Sequence, residues 1–160
     1  MKNKNTQLSH VDKEGNAKMV DVSEKAITQR TATAHSSVKF PETVFKSLSA
    51  DNFLGKKGSI IQTAIIAGTM AAKKTADLIP LCHPLALSKI HIDIIPGDNQ
   101  LTIHASVKCE GKTGVEMEAL TAASVTALTI YDMCKALSHD IIISETKLMA
   151  KEGGKNDFNR

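Results

Sequence analysis

"KIHIDIIPGDNQLTIHASVKCE", residues 89–110, decides the fold of this chain. Ile90, Ile92 and Ile94 alternate with His91 and Asp93 on the way into "PGDNQ". On the way out Leu101, Ile103, Ala105 and Val107 alternate with Thr102, His104, Ser106 and Lys108. Successive side chains of a strand point to opposite faces, so a period of two on both arms means one buried face and one wet face. The Pro, Gly, Asp and Asn between the arms supply a turn, and the whole reads as an antiparallel hairpin. His91 and His104 fall on the polar face and are expected at the surface.

On either side of the hairpin the period changes. Upstream, in "KGSIIQTAIIAGTMAAKKTADLIP" (57–80), Ile61, Ala64, Ile65, Gly68 and Ala72 recur at helical spacing. This predicts a helix from about Ser59 to Asp77, ended by Pro80. Ala67, Gly68, Ala71 and Ala72 are small enough for another element to approach closely. Downstream, "TGVEMEALTAASVTALTIYDMCKALS" (113–138) predicts a second long helix that starts between Val115 and Leu120 and runs to about Leu137. Its inner face is Leu120, Ala123, Ala127, Ile130 and Cys134.

Further out, "AITQRTATAHSSVKF" (26–40) is rich in Thr and Val and reads as a strand. "PETVFKSLSADNFLG" (41–55) reads as a short helix with Pro41 at its start and Gly55 as its stop. "DIIISETKLMAKEGG" (140–154) makes a last strand and a Gly-rich, Lys-bearing end. The order is β-α-β-β-α-β with one extra short helix. The expected fold is therefore an α+β, ferredoxin-like βαββαβ sandwich, an antiparallel sheet with two long helices on one face. The other sheet face is expected to be covered by oligomerisation. Residues 1–20 are polar and aperiodic and are expected to form a flexible arm. Residues 21–155 form a single domain, and 156–160 a tail.

Composition narrows the function classes. The chain has 160 residues, a formal net charge of +3, 3% aromatic residues, no Trp and one Tyr. So mild a charge demands neither nucleic acid nor membrane. Scarce aromatics argue against a single-strand binding surface, which works by stacking bases. Cys82, Cys109 and Cys134 are odd in number and show no CxxC spacing, which argues against a zinc site or a disulfide framework. No run has the length of a membrane span and the N-terminus has no apolar leader, so a cytoplasmic protein is expected.

Four clusters could carry chemistry, each beside a plainer reading. In "LCHPL", Pro84 keeps His83 out of helical geometry. The imidazole is either held in a packed turn or aimed into a pocket for acid–base work near neutral pH. Glu116 and Glu118 are two apart, so they share a side only if the backbone there is still extended. In that case like charges would raise one pKa, as a general acid requires; otherwise they are acids at a helix start. Asp132 and Lys135 are three apart on one helix face and make either a surface pair or a proton-handling pair. Lys57 in "GKKG", and Lys151 and Lys155 in "KEGGK", stand beside glycines that let backbone amides approach a phosphate, although neither is a Walker motif. From Glu118 to Asp132 is roughly 20 Å along a continuous helix, too far for one small substrate. Either there are two sites, or two subunits assemble one pocket.

The stretches "LSHVD..G.A.MVDVS.KA.T.R" (8–30), "KKG" with "TAIIAG.MAAKKT..LIPLCHPL" (56–85), "KTGVEMEALTAASV.ALTIYDMCKA" (112–136) and "KEGGK" (151–155) closely resemble the molybdenum cofactor biosynthesis protein C family, the cyclic pyranopterin monophosphate synthases. The resemblance implies a lyase that converts 3',8-cyclo-7,8-dihydro-GTP, supplied by an upstream radical GTP cyclase, into cyclic pyranopterin monophosphate and pyrophosphate. It also implies a homo-hexamer, a trimer of dimers with active sites at dimer interfaces, and no nucleic-acid or membrane partner. No cofactor is required, and whether Mg²⁺ accompanies the triphosphate stays open.

By motif, the catalytic positions are Lys57, His83, Glu116, Glu118, Asp132 and Lys135, with Lys135 beside Asp132 as the central acid–base group. Arg30, Lys151 and Lys155 would hold the triphosphate, with Cys82 and Met117 also against the substrate, and Asp21 would order the N-terminal stretch over the pocket. The tail "KNDFNR" departs from the family pattern after the double glycine, and either Lys56 or Lys57 could point inward. Two rival classes remain. A metal-dependent nucleotide phosphohydrolase would use Glu116, Glu118, Asp132 and His83 as ligands. A non-catalytic nucleotide-binding assembly module would need the lysines alone.

Overall fold

The computed structural model of the chain describes residues 9–160. The first eight residues of the expected arm lie outside them. The described part of the arm is a hydrogen-bonded turn: Val11 bridges Ala17, and the Asp12 carboxylate accepts from the amides of Glu14 and Asn16.

The hairpin forms as its alternation predicts. Strand β4 (Leu87–Gly97) pairs antiparallel with β5 (Gln100–Gly111), and Asn99 takes the left-handed conformation (φ 53°) that the tight turn needs. Leu101, Ile103, Ala105, Val107 and Cys109 are fully buried, whereas on β4 only Ile92 is, because β4 is the sheet edge. His91 is exposed. His104 is half-buried, its ring meeting that of His35 edge-on at 5.4 Å on the neighbouring strand.

Strand β1 (Thr28–Lys39) lies on the other side of β5, and β6 (Ile142–Glu152) pairs with β1. The sheet order is β4-β5-β1-β6-β7. The four long strands thus follow the ferredoxin-like split βαβ arrangement, with every neighbour antiparallel. Two details were not foreseen. The last residues return as an edge strand β7 (Phe158–Asn159) on β6, and Leu54–Gly55 (β2) pairs with Gly58–Ser59 (β3) in a small hairpin.

The helices correct the expected boundaries. Helix α1 (Glu42–Ala50) starts after Pro41 but stops five residues before Gly55. Asn52 and Phe53 turn left-handed (φ 50° and 54°), and the Phe53 amide reaches back to Leu48 O while its ring is buried. Burial of that ring fixes the stop, a tertiary effect that overrides the glycine signal. The predicted helix 59–77 is two helices, α2 (Ile60–Lys73), capped by the Ser59 hydroxyl, and α3 (Thr75–Leu78). The break sits where the buried Thr75 hydroxyl donates to Ala72 O and occupies a terminal carbonyl of α2. Helix α4 (Glu116–Cys134) is unbroken.

Helices α2 and α4 pack against each other on one sheet face, α4 over β1, β5 and β6, and α2 over β4. The small residues of α2 are where they meet. A Cβ on Gly68 would lie 2.0 Å from Thr126 Oγ1, 2.7 Å from Ile92 Cδ1 and 2.9 Å from Ala122 O. The small face is therefore filled from within the chain and is not free for a partner. On the open sheet face Thr31, Thr33 and His35 stand opposite Lys108, Ser106 and His104. Such a polar face can meet water directly, so its physical need for cover is weaker than the layer argument assumed. Exposed apolar groups stand both at the ends of this face, Ile95 on β4 and Ile142 on β6, and on the outer side of the helices, Ile66 and Met70 on α2 and Leu128 on α4.

Gly68→Ala should destabilise the protein by about 3 kcal/mol, since one clashing atom is a backbone carbonyl that cannot swing aside. Gly97→Ala, where the nearest atom to the new Cβ is at 3.9 Å, should change stability by less than about 0.5 kcal/mol. Denaturant midpoints of the two variants against wild type check this.

Candidate functional site

A cavity of about 480 Å³ opens where the N-terminal end of α4, the loop after α3, the ends of β1 and β6 and the N-terminal segment converge. The loop contributes Cys82 and His83. The Ile79 carbonyl accepts from the Cys82 amide in a turn, and the chain then passes through Pro84 outside any helix or strand, with His83 half-buried at the cavity wall.

Helix α4 contributes Glu116, Met117 and Glu118. The condition set for the paired carboxylates is not met, because the backbone is helical from Glu116 and the two point different ways. Both line the cavity all the same, since it wraps the helix end. The Glu116 carboxylate accepts from Lys151 Nζ at 3.0 Å, across 35 residues of sequence. Glu118 points inward and is only 4% exposed. Burial raises its pKa first and foremost; its own backbone amide opposes this, and the nearby Glu116 charge adds to it. The expected direction holds, but desolvation rather than like-charge repulsion leads. Burial likewise raises the thiols of Cys82 and Cys109, with the Glu118 charge second.

Arg30, Lys151 and Lys155 also line the cavity. Arg30 Nε donates to Gly111 O at 3.3 Å and its Nη2 to Lys112 O at 3.5 Å, so the guanidinium braces the β5–α4 loop as well as facing the cavity. Gly153 is what lets Lys155 curl back. Its φ is +82° and a Cβ there would lie 1.9 Å from Gln29 O, a place no other residue can take.

Three predicted residues are elsewhere. Asp132 and Lys135 sit at the C-terminal end of α4, with Lys135 Nζ donating to Asp132 Oδ1 at 2.6 Å and both side chains more than half exposed. The Lys135 hydrogen bond, then its charge, lowers the Asp132 pKa, and Lys57 lowers it further, which places Lys57 at this end too. The same bond raises Lys135. Because α4 is continuous, the 14 residues from Glu118 to Asp132 span about 21 Å. The chain thus carries two groups, the cavity and a Lys57–Asp132–Lys135 cluster, which it does not itself bring together.

The expected N-terminal stretch does lie over the cavity, but sequence reasoning named only Asp21 in it and missed the residues that form this wall, His10, Val20, Val22 and Lys25, and also Lys112. Asp21 shapes that wall, its carboxylate accepting from both the amide and the hydroxyl of Ser23. Lys112 stood inside the quoted "KTGVEMEAL" stretch, but only the folded loop turns its ammonium toward the wall. Among the described residues no group of three or more His, Cys, Asp or Glu side chains is arranged to hold a metal ion, and the four ligands of the phosphohydrolase reading are divided between the two ends of α4. No described helix is long and apolar enough to cross a membrane.

The model of the MoaC family matches residues 19–154. The chain is 53% identical over 158 residues to a cyclic pyranopterin monophosphate synthase of Xanthomonas oryzae pv. oryzae, covering 98% of this chain and 96% of that protein. It is 53% identical over 161 residues to a protein of the same name from Staphylococcus aureus, strain Newman, covering 97% of each.

The buried carboxyl sets a pH dependence. Folding raises the Glu118 pKa above its ordinary value of 4.5, so the folded state favours the protonated form. Below 4.5 there is no penalty; as pH rises through the folded pKa, ionisation opposes burial and stability is lost. Glu118→Gln carries no such penalty. Its melting temperature should therefore gain on wild type between about pH 4 and pH 7, and an advantage that shrank with rising pH would contradict the assignment.

Proposed function

The chain belongs to the MoaC family, and we propose that it is a cyclic pyranopterin monophosphate synthase of molybdenum cofactor biosynthesis, working on a site completed by a second copy of itself. The substrate is 3',8-cyclo-7,8-dihydro-GTP from an upstream radical GTP cyclase, and the enzyme is a pyrophosphate-releasing lyase of the cytoplasm. A hydroxyl oxygen of the cyclised nucleotide attacks the α-phosphorus, the bond to the pyrophosphate oxygen breaks, and the purine-derived ring opens and recloses as the pyranopterin.

The observation that carries this reading is the surface of α4. Met117, Thr121, Ser124, Leu128, Asp132 and Lys135 follow one helical stripe from the cavity to the second cluster. Met117, Leu128, Asp132 and Lys135 on it are exposed, and Thr121 and Ser124 at its middle are small. Two copies packed antiparallel on this stripe, with the two-fold axis near Ser124, lay the Asp132–Lys135 pair of one over the cavity of the other. An isologous contact of this kind yields two equivalent sites per dimer. Three such dimers make the homo-hexamer.

In the completed site Arg30, Lys151 and Lys155 hold the triphosphate and stabilise charge on the departing pyrophosphate. Glu118, its pKa raised by burial, is a proton donor to the opening ring. Glu116, paired with Lys151, is the acceptor, with His83 within the same wall to exchange protons between them. Lys57, Asp132 and Lys135 arrive from the partner, with Asp132 orienting the Lys135 ammonium for proton delivery. Cys82 and Met117 flank the substrate. The reaction needs no resident cofactor from this chain, and any Mg²⁺ would enter with the triphosphate.

Lys135→Ala and His83→Ala, each alone, should abolish formation of both pyranopterin and pyrophosphate from the cyclised dihydro-GTP. Co-refolded one to one, half the dimers are mixed and one of their two sites is intact, so activity should return to about a quarter of wild type. No recovery would sink the shared site. Binding of the nucleotide without any turnover by wild type would favour the assembly-module reading.

A further inference from the structure

Among the described residues, one hydrogen bond ties the N-terminal wall of the cavity to the rest of the chain. Lys112 Nζ, on the loop between β5 and α4, donates to the Ser23 carbonyl at 2.5 Å, across 89 residues of sequence. The bond lands on a turn that is already made, since Asp21 holds both the amide and the hydroxyl of Ser23, and the Lys25 amide closes the turn on Val22 O at 3.1 Å. The loop end is braced as well, because Arg30 donates to the Gly111 and Lys112 carbonyls. Two preformed pieces are thus joined by one charge-assisted hydrogen bond. Val20 and Val22 face the cavity on one side of the joint and Lys25 on the other.

We propose that Lys112 is a positioning residue that fastens this wall, and that the wall brings Lys25 to the anionic end of the substrate. The proposal rests on the synthase reading above for its substrate but not for its geometry. The wall is otherwise lightly anchored: Ser23 to Thr28 are all exposed, and the strand that follows enters the sheet only at Thr28. Losing the fastening should leave the reacting groups in place and loosen only the binding of the triphosphate end.

The test uses the full-length protein with Lys112→Met, which keeps the length and apolar stem of the side chain, Lys112→Arg, which keeps the donor, and Lys25→Met. Lys112→Met should raise KM for the cyclised dihydro-GTP about tenfold with kcat within about twofold, the size of one lost charge-assisted bond. Lys112→Arg should restore KM. Hydrogen exchange at amides 18–25 should quicken in Lys112→Met while strand β5 stays protected, and Lys25→Met should raise KM without any change in exchange. The proposal is overturned if exchange at 18–25 is unchanged in Lys112→Met, or if kcat falls while KM holds. Should wild type prove inactive on this substrate, the synthase reading fails instead. Pyrophosphate binding by calorimetry, weaker in both methionine variants, then still decides the role of the wall.

Discussion

The close contact of α2 with α4 at Gly68 governs the rest of the structure. With no side chain at that position, the Thr126 hydroxyl and the Ala122 carbonyl of α4 occupy the space that a Cβ would need. This draws α4 down into the groove between α2 and the sheet, where Ala119, Ala122, Ala123, Thr126 and Ala127 are almost wholly buried. A core of alanines and β-branched residues is thin, and it works here because the layers approach so closely. Its consequence for chemistry is that α4 is held rigidly along its length, with one end forming the floor of a cavity and the other projecting into solvent.

The two ends are tuned by different physics. At the cavity, desolvation acts on Glu118 and raises its pKa above that of a carboxyl in water. At the exposed end a hydrogen bond and the opposite charge keep Asp132 ionised and Lys135 protonated. The first environment is complete within one chain. The second is still open to water and would strengthen when an approaching surface excluded it, because the same pair of charges interacts more strongly at lower dielectric.

Most of the fold was legible because its signals are periodic. The alternation of 89–110 and the helical spacing of 61–72 each report one buried face, and the order of elements then restricts the topology. What escaped had tertiary causes. The α1 stop depends on burying Phe53, the α2–α3 break on where the Thr75 hydroxyl lands, and the edge strand Phe158–Asn159 on a partner strand far away in sequence. The site was legible in its residue types and in one distance. The length from Glu118 to Asp132 already forbade a single-chain pocket. The fastening of its N-terminal wall was hidden, because nothing local in "MVDVSEKA" tells that Lys112 will reach it.

An unbroken α4 also acts as a protractor. Each residue of an α-helix turns the next by about 100°, so the stripe from Met117 to Lys135 exists only at one count of residues. Many substitutions along the exposed face would preserve that alignment. The gain or loss of a single residue between the two ends would swing Asp132 and Lys135 a quarter-turn or more away from the side that Met117 faces, even if every contact with the sheet were rebuilt. The helix is therefore constrained more tightly in its length than in its surface chemistry, and variation among proteins built this way should appear as exchanges along α4, with insertions and deletions confined to the loops at its ends.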